Sequence, residues 1–346
     1  MAQQVKTPLC DLLSIRHPVL LAGMARTSGG PLAAAVSNAG GLGTVGGLGY
    51  TPSQLDEMLT ELKSYLDSPN LPFGVDLALP QVGNGARATN HDYTHGKLDE
   101  LIEVTIKHGA KLFVSAVGVP PARTIKRLHE AGILGHEHGS ARPRHAEEAM
   151  QAGCRHHLAV EVVANTGDIH FSFLHARCRG FDAQVSLSLT GQPPLVVAAG
   201  GVNDGRSLAS ALMLGASGVW VGTRFVASVE SGASRMHKEA VVNAGFNETI
   251  RSLVVSGRPL RLLPNDYIKE WESKPEEIKR LTESGVVPFV KDMQDGKDVD
   301  LPFLMGHVSA LVKEIKPARE IVESMVAEAA QMLRLGNTYL VSGSKL

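Results

Sequence analysis

Along most of the chain, short apolar runs alternate with stretches in which apolar positions recur every three or four residues. Runs of the first kind fit buried strands and stretches of the second fit amphipathic helices, so their order predicts strand–helix units around a parallel sheet. Residues 18–21 read as a first strand and 31–39 as a helix of small residues. Residues 41–45 read as a second strand, 52–64 as an amphipathic helix and 73–77 as a third strand. A helix over 98–108 is stopped by Gly109, and 111–115 gives a fourth strand with its helix over 121–131. After a poorly patterned stretch the signal returns, with a strand over 195–199, a helix over 207–214 closed by Gly215, and a last strand over 218–221. Eight strands are reached if two lie between Ile133 and Glu161.

That count predicts an α/β chain folded as a TIM (β/α)8 barrel over residues 1–229. Residues 230–305 carry more charge and few strand-like runs, with Pro259, Pro264, Pro288 and Pro302 interrupting them, so an inserted, mainly helical C-terminal cap is expected there. Helical periodicity resumes at 308–335, as for a C-terminal helix returning to the barrel within a last segment of 306–346. The 346 residues suffice for a barrel, which needs ~250, plus such a cap. Aromatics are scarce at 5% and glycines number 36, which suits many tight turns.

The formal net charge of −1 offers no basic excess, so nucleic acid and anionic membrane surfaces are not expected partners. Three cysteines, Cys10, Cys154 and Cys178, are too few and too odd in number for a disulfide framework and point to a reducing compartment. No signal peptide and no apolar stretch near the ~20 residues of a membrane span are visible. The chain ends Ser344-Lys345-Leu346, a tripeptide read by peroxisomal import receptors, so peroxisomal import is expected, with a cytoplasmic location otherwise. Self-association is compatible with the sequence.

The strongest chemical signal is a pair of glycine turns, Ala198-Ala199-Gly200-Gly201 and Val221-Gly222-Thr223, each between an apolar strand and a helical pattern. Glycine lets backbone approach an anion closely, amides at a helix start point at it, and Thr223 adds a hydroxyl. Either turn alone could be a mere tight connection, but two on consecutive units at this end of a barrel favour a phosphate site. Ala22-Gly23-Met24-Ala25 follows the first strand, where a bare glycine would let a flat ring lie on the backbone beside an adaptable thioether. Asp76 sits inside an apolar strand and must find a partner or face the barrel mouth; a structural ion pair and a ligand role explain it equally well.

These segments, His17-Pro18-Val19-Leu20-Leu21-Ala22-Gly23-Met24, Phe73-Gly74-Val75-Asp76-Leu77, Ala198-Ala199-Gly200-Gly201 with Asp204-Gly205-Arg206, and Val219-Trp220-Val221-Gly222-Thr223-Arg224-Phe225, together resemble nitronate monooxygenase (2-nitropropane dioxygenase). The resemblance implies a barrel that binds FMN and oxidises nitronates with O2 to a carbonyl compound and nitrite. It implies that Gly23 and Met24 approach the flavin ring and that Asp76 lies beside it. It places the phosphate on Gly200, Gly201, Gly222 and Thr223, with Trp220 and Val221 in the same motif.

The chain departs from the family where a histidine is expected after the sixth strand. Glu161-Val162-Val163-Ala164-Asn165-Thr166-Gly167-Asp168 puts Asn165 in that place, and an amide takes no proton at neutral pH. An anionic nitronate should still react, whereas a neutral nitroalkane should not. Nearby, Gly135-His136-Glu137-His138-Gly139, Cys154-Arg155-His156-His157-Leu158 and His175-Ala176-Arg177-Cys178-Arg179-Gly180 are polar where barrel strands belong. Each can be coded so that reading one base later restores an apolar run, which suggests compensated reading-frame errors; sequencing the transcript tests this. The histidines there lack the spacing of a metal site, and none is expected. His91 and His95 read as solvated loop residues, although they are the best spare bases near the mouth. Two other readings stay open: a flavin-dependent reductase of enoyl thioesters, and a catalytically impaired flavin-binding barrel.

Overall fold

The structure, a computed structural model, describes residues 5–80, 87–118, 120–138, 158–162 and 195–340, with the backbone alone for 135–138 and 158–162. Eight parallel strands form one sheet: β1 (Val19–Leu21), β2 (Gly43–Gly46), β3 (Phe73–Ala78), β4 (Leu112–Ala116), β5 (Leu134–His138), β6 (Leu158–Val162), β7 (Leu195–Ala199) and β8 (Gly218–Val221). The sheet closes on itself. Strand β1 pairs with β8 through Leu20↔Trp220, and Leu20 also bridges Leu42 just before β2. This is the expected barrel. The polar run at 135–138 takes the fifth strand's place, pairing with β4 through Ala116↔His138.

Strand residues alternate between two environments, as the pleat requires. Val19, Leu21, Val45, Val75, Leu77, Phe113, Ala198, Val219 and Val221 pack outward against the helices. Leu20, Leu112, Val114, Val197, Ala199 and Trp220 fill the barrel interior instead. Helix α1 (Pro8–Leu13) stops the lower end, because Leu9, Cys10 and Leu13 join that interior cluster and Thr7 Oγ1 donates to the Ser217 carbonyl. The opposite end, where the strands terminate in chain direction, is left as a mouth.

Helices α2 (Gly30–Asn38), α3 (Pro52–Ser64), α4 (Leu98–His108), α5 (Ala122–Glu130) and α6 (Gly205–Met213) surround the sheet. Close packing is made possible locally by glycine: a methyl group on Gly43 of β2 would fall 1.7 Å from the Ala33 carbonyl oxygen of α2. After β8 come α7 (Thr223–Val226) and α8 (Arg235–Asn243), then a three-stranded antiparallel sheet of β9 (Ile250–Ser252), β10 (Leu260–Leu263) and β11 (Phe303–Leu304). Helices α9 (Asp266–Glu272), α10 (Pro275–Glu283) and α11 (Pro288–Gln294) lie between β10 and β11. Three helices lie in this stretch; the small sheet was not foreseen. Its core is Val254, Leu262, Ile268, Trp271, Ile278 and Leu281. Beside it the buried Asp292 carboxylate accepts from Trp271 Nε1 at 2.8 Å and pairs with Lys297 at 2.7 Å.

Helix α12 (Ala318–Thr338) returns to the barrel and packs through Met325 and Ala329 against Gly205 of α6, where a methyl would meet the Ala329 amide at 2.4 Å. Glu230 accepts its first amide, from Ala318, at 2.9 Å. Among the described residues, no helix is long and apolar enough to cross a membrane. The Ser344-Lys345-Leu346 tail, Asn165, Cys154 and Cys178 lie outside the described residues, and Cys10 is a free thiol buried in the barrel base.

Candidate functional site at the barrel mouth

The site residues are brought to one rim by strand register. Strand β7 pairs with β8 through Ala198↔Val219 and Ala199↔Trp220, so Gly200 and Gly201 continue level with Val221 and Gly222 on the neighbouring strand, ~4.8 Å away. Gly200 and Gly201 take φ of +90° and +66°, a conformation that other residues adopt only with strain. That turn is what the paired glycines in the sequence predict.

The amides that serve an anion differ from the expectation. The start of helix α6 is already occupied by protein carboxylates: Asp204 Oδ1 accepts from the Ser207 amide at 2.9 Å, and Glu328 Oε2 accepts from the Gly205 amide at 2.9 Å. Ser207 Oγ also takes the amides of Asn203 and Asp204. An incoming phosphate would meet negative charge there. Outside the strand ladders, no described backbone acceptor takes the amide of Gly200 or Gly201, so the turn itself is the better donor set. Thr223 Oγ1 accepts from the Gly306 amide at 3.0 Å, which uses one lone pair and leaves its own O–H free to donate. Trp220 lies in the barrel interior and Val221 packs outward, with its carbonyl taken by the Ala22 amide at 2.9 Å. Trp220 thus faces the barrel interior, whereas the Val221 side chain faces the helices.

On the other side of the mouth the loop after β1 is folded tightly. Ser28 Oγ accepts from the Met24 amide at 2.8 Å and donates to its carbonyl at 3.2 Å. Gly46, at the end of β2, packs on the Met24 backbone, where a methyl would lie 2.5 Å from the Met24 amide nitrogen. The Met24 side chain touches the interior, outer and cap clusters, and its sulfur would stand 3.8 Å from a methyl on Gly222. Gly23 meets Asp76 directly: a methyl on Gly23 would fall 2.3 Å from the Asp76 Cβ. The structure thus brings Gly23, Met24, Asp76 and Gly222 into one contact chain. Asp76 is buried, and burial pushes its carboxyl up to about 8. No ion pair to Asp76 forms among the described residues.

Ser28, Gly46 and Gly306 were missed in the sequence. Gly46-Gly47 was a legible glycine pair after a strand, but nothing local marks Ser28, and Gly306 is 83 residues from Thr223. His91 and His95 are exposed and stack loosely, with His91 set edge-on to Tyr93 at 5.0 Å between ring centroids, as solvated loop residues would. His237, at the junction of barrel and cap, is committed: its Nε2 lies 2.8 Å from the Leu304 carbonyl and its ring stacks on Phe303. A groove of about 550 Å³ between α6 and α12, lined by Arg206, Met213, Met332, Gly336 and Leu340, opens on the outside of the helix ring and shares no residue with the mouth.

A flat ring system with a phosphate tail fits this donor set. Bare backbone at Gly23 could accept the ring face, and the Gly200–Gly201 turn with Thr223 could accept the phosphate. Comparison with known proteins agrees. The chain is 27% identical over 372 aligned positions to (3aS,4S,5R,7aS)-5-hydroxy-7a-methyl-1-oxo-octahydro-1H-indene-4-carboxyl-CoA dehydrogenase of Mycobacterium tuberculosis, covering 96% of this chain and 98% of that one. It is 30% identical over 302 positions to a Staphylococcus saprophyticus protein named "Probable nitronate monooxygenase", covering 80% and 83%. Among solved structures, FabK from Thermotoga maritima superimposes with a TM-score of 0.75 at 28% identity, covering 97% of this chain and 100% of that one. The profile of the family described as "Nitronate monooxygenase" matches residues 6–328. The chain therefore belongs to the nitronate monooxygenase family, as an FMN-dependent oxidoreductase built on a closed (β/α)8 barrel.

Proposed function

We propose that this protein oxidises alkyl nitronates with O2, giving a carbonyl compound and nitrite. The observation that carries the reading is the chemistry of the rim. Within strands β1–β4, β7 and β8 themselves the one ionisable side chain is Asp76, and burial keeps it protonated. A nitronate arrives already deprotonated and asks these walls for no base, which also accommodates Asn165. Two nitronates and one O2 balance as two carbonyl compounds and two nitrite ions, so the overall reaction needs no outside reductant.

In this reading Gly200, Gly201, Gly222 and Thr223 hold the FMN phosphate, and Gly23 and Met24 hold the ring with Asp76 beside it. Bound FMN supplies the passage of electrons from the nitronate to O2. The protein's part is to hold the two reactants in a mouth walled by Met24 and closed on one side by the cap, where Met305 and Val226 pack against Met24.

The test is nitrite release from an alkyl nitronate by the yellow holoprotein under air. Nitrite from the nitronate, with little or none from the neutral nitroalkane, is the expected result. Equal turnover of the neutral compound would show that a working base is present and would overturn this reading. A second reading has one specific support, the relative named as a carboxyl-CoA dehydrogenase. If no nitrite forms and a CoA thioester exchanges electrons with the bound flavin instead, that reading takes over.

A further inference from the structure

Asp76 carries a chemistry that a passive cradle does not need. In β3 its neighbours Val75 and Leu77 pack outward against the helices, so the Asp76 side chain stands inside the barrel at the mouth. Only 7% of the residue is exposed. One wall is the bare Cα of Gly23, where a methyl would fall 2.2 Å from Asp76 Oδ2. The neighbours in register are Gly46 on β2 and Val114 on β4. Neither brings a charge or a side-chain donor.

Among the described residues the neighbouring strands are equally bare of charge. Strands β2 and β4 hold no titratable residue, and Arg26 in the loop after β1 is exposed. His136 stands one strand further on, in register with Val114. Among the described residues a carboxylate in this place would find neither counter-ion nor side-chain donor, at a cost of several kcal/mol. Burial is accordingly what raises the carboxyl to about 8. At neutral pH the group is an acid with an O–H to give and no described acceptor to take it.

We propose that Asp76 acts as a neutral hydrogen-bond donor to an acceptor atom on the edge of the flavin ring, so that FMN binding above neutral pH is coupled to uptake of one proton. The inference rests on the reading that sets the ring against Gly23. Apart from the N3–H, the edge of an oxidised flavin presents acceptors only, its carbonyl oxygens and unprotonated ring nitrogens, and it is these that Asp76 would meet. An O–H meets them favourably, whereas an ionised carboxylate would set lone pair against lone pair. Asparagine keeps the shape and supplies an N–H donor that does not titrate, which makes Asp76→Asn the informative change.

The experiment is titration of the apoprotein with FMN, followed by flavin fluorescence from pH 6 to pH 9.5, for the wild type and Asp76→Asn. The wild-type Kd should be level below pH 7 and rise by about tenfold per pH unit above pH 8, while the variant shows no such rise. Titrations of FMN itself, of His136 and of His138 are common to both proteins and cancel in the ratio of the two Kd values. A ratio that stays flat overturns the inference. If neither protein binds FMN at any pH, the cofactor reading falls and takes this one with it. Should Asp76→Asn fail to fold, calorimetry on the wild type in two buffers of different ionisation enthalpy decides the matter. One proton taken up per FMN at pH 9 is expected, and none taken up refutes it.

Discussion

The two halves of the barrel mouth are built from different materials. On the β7–β8 side the groups that face a ligand are backbone amides in a turn with φ of +90° and +66°, helped by one hydroxyl. On the β1–β3 side they are a bare Cα and one buried carboxyl pressed against it. The first side can answer to charge on a phosphate. The second answers to the shape and hydrogen-bond edge of a ring. An FMN site needs both, and riboflavin, which lacks the phosphate, separates them. Damage on the β7–β8 side should narrow the preference for FMN over riboflavin, whereas damage on the β1–β3 side should weaken both ligands together.

The largest effect is expected from the carboxyl, in the apoprotein. Its folded-state value of about 8 stands above an ordinary value of 3.8. The native chain therefore holds a proton that the unfolded chain releases between those limits. Stability from this group is fully present below about pH 4 and is lost as pH rises towards pH 8, on the order of 5 kcal/mol in all. Thermal unfolding of apo wild type should thus fall away from Asp76→Asn over that window. Parallel curves would mean that the carboxyl has found a partner and that the two halves of the mouth are less different than proposed.

Gly23→Val comes next. Its Cβ would have to displace the Asp76 side chain, now within 2.6 Å at three atoms. Overpacking of this kind costs about 3 kcal/mol, and the ring would lose its seat. FMN and riboflavin affinities should both drop at least tenfold, with the ratio between them preserved. A changed ratio would show that Gly23 acts on the phosphate.

Gly201→Val attacks the opposite side. A β-branched residue at φ +66° costs about 2 kcal/mol in strain or turns the amides away. FMN should weaken by about tenfold while riboflavin hardly changes. Equal losses for the two ligands would remove the phosphate from this turn.

How far these halves could be read from sequence follows from their construction. Gly200-Gly201 and Gly222-Thr223 were legible because glycine follows an apolar strand on two consecutive units, although either turn alone could be a mere tight connection. Asp76 was conspicuous as an acid in an apolar strand, but the contact that explains it lies 53 positions back at Gly23, and no local pattern records it. The amides of the helix start were misjudged for the reverse reason: a helix start looks like a free anion site until Glu328, which arrives from the far end of the chain, takes the Gly205 amide. The cap sheet escaped because its strands are two to four residues long, too short to show alternation, and β11 closes on β10 across three intervening helices. Helix α1 was overlooked because six residues give less than two turns of period. Asn165, the sharpest departure from the family pattern, lies outside the described residues, so its meaning rests on turnover.

Thr223 joins the two materials and should show the smallest effect. Its hydroxyl accepts the Gly306 amide from the cap side and keeps its own O–H to donate. Thr223→Val keeps the shape but leaves the Gly306 N–H without its acceptor and the phosphate without one donor. Each loss amounts to about 1 kcal/mol. The unfolding midpoint should shift by a degree or two, and FMN should weaken by about fivefold with riboflavin unchanged. Thr223→Ser should restore both, since only the hydroxyl is at issue. If valine lowers the midpoint yet leaves the FMN-to-riboflavin preference intact, Thr223 belongs to cap docking alone, and the phosphate is held by backbone amides without any side chain from β8.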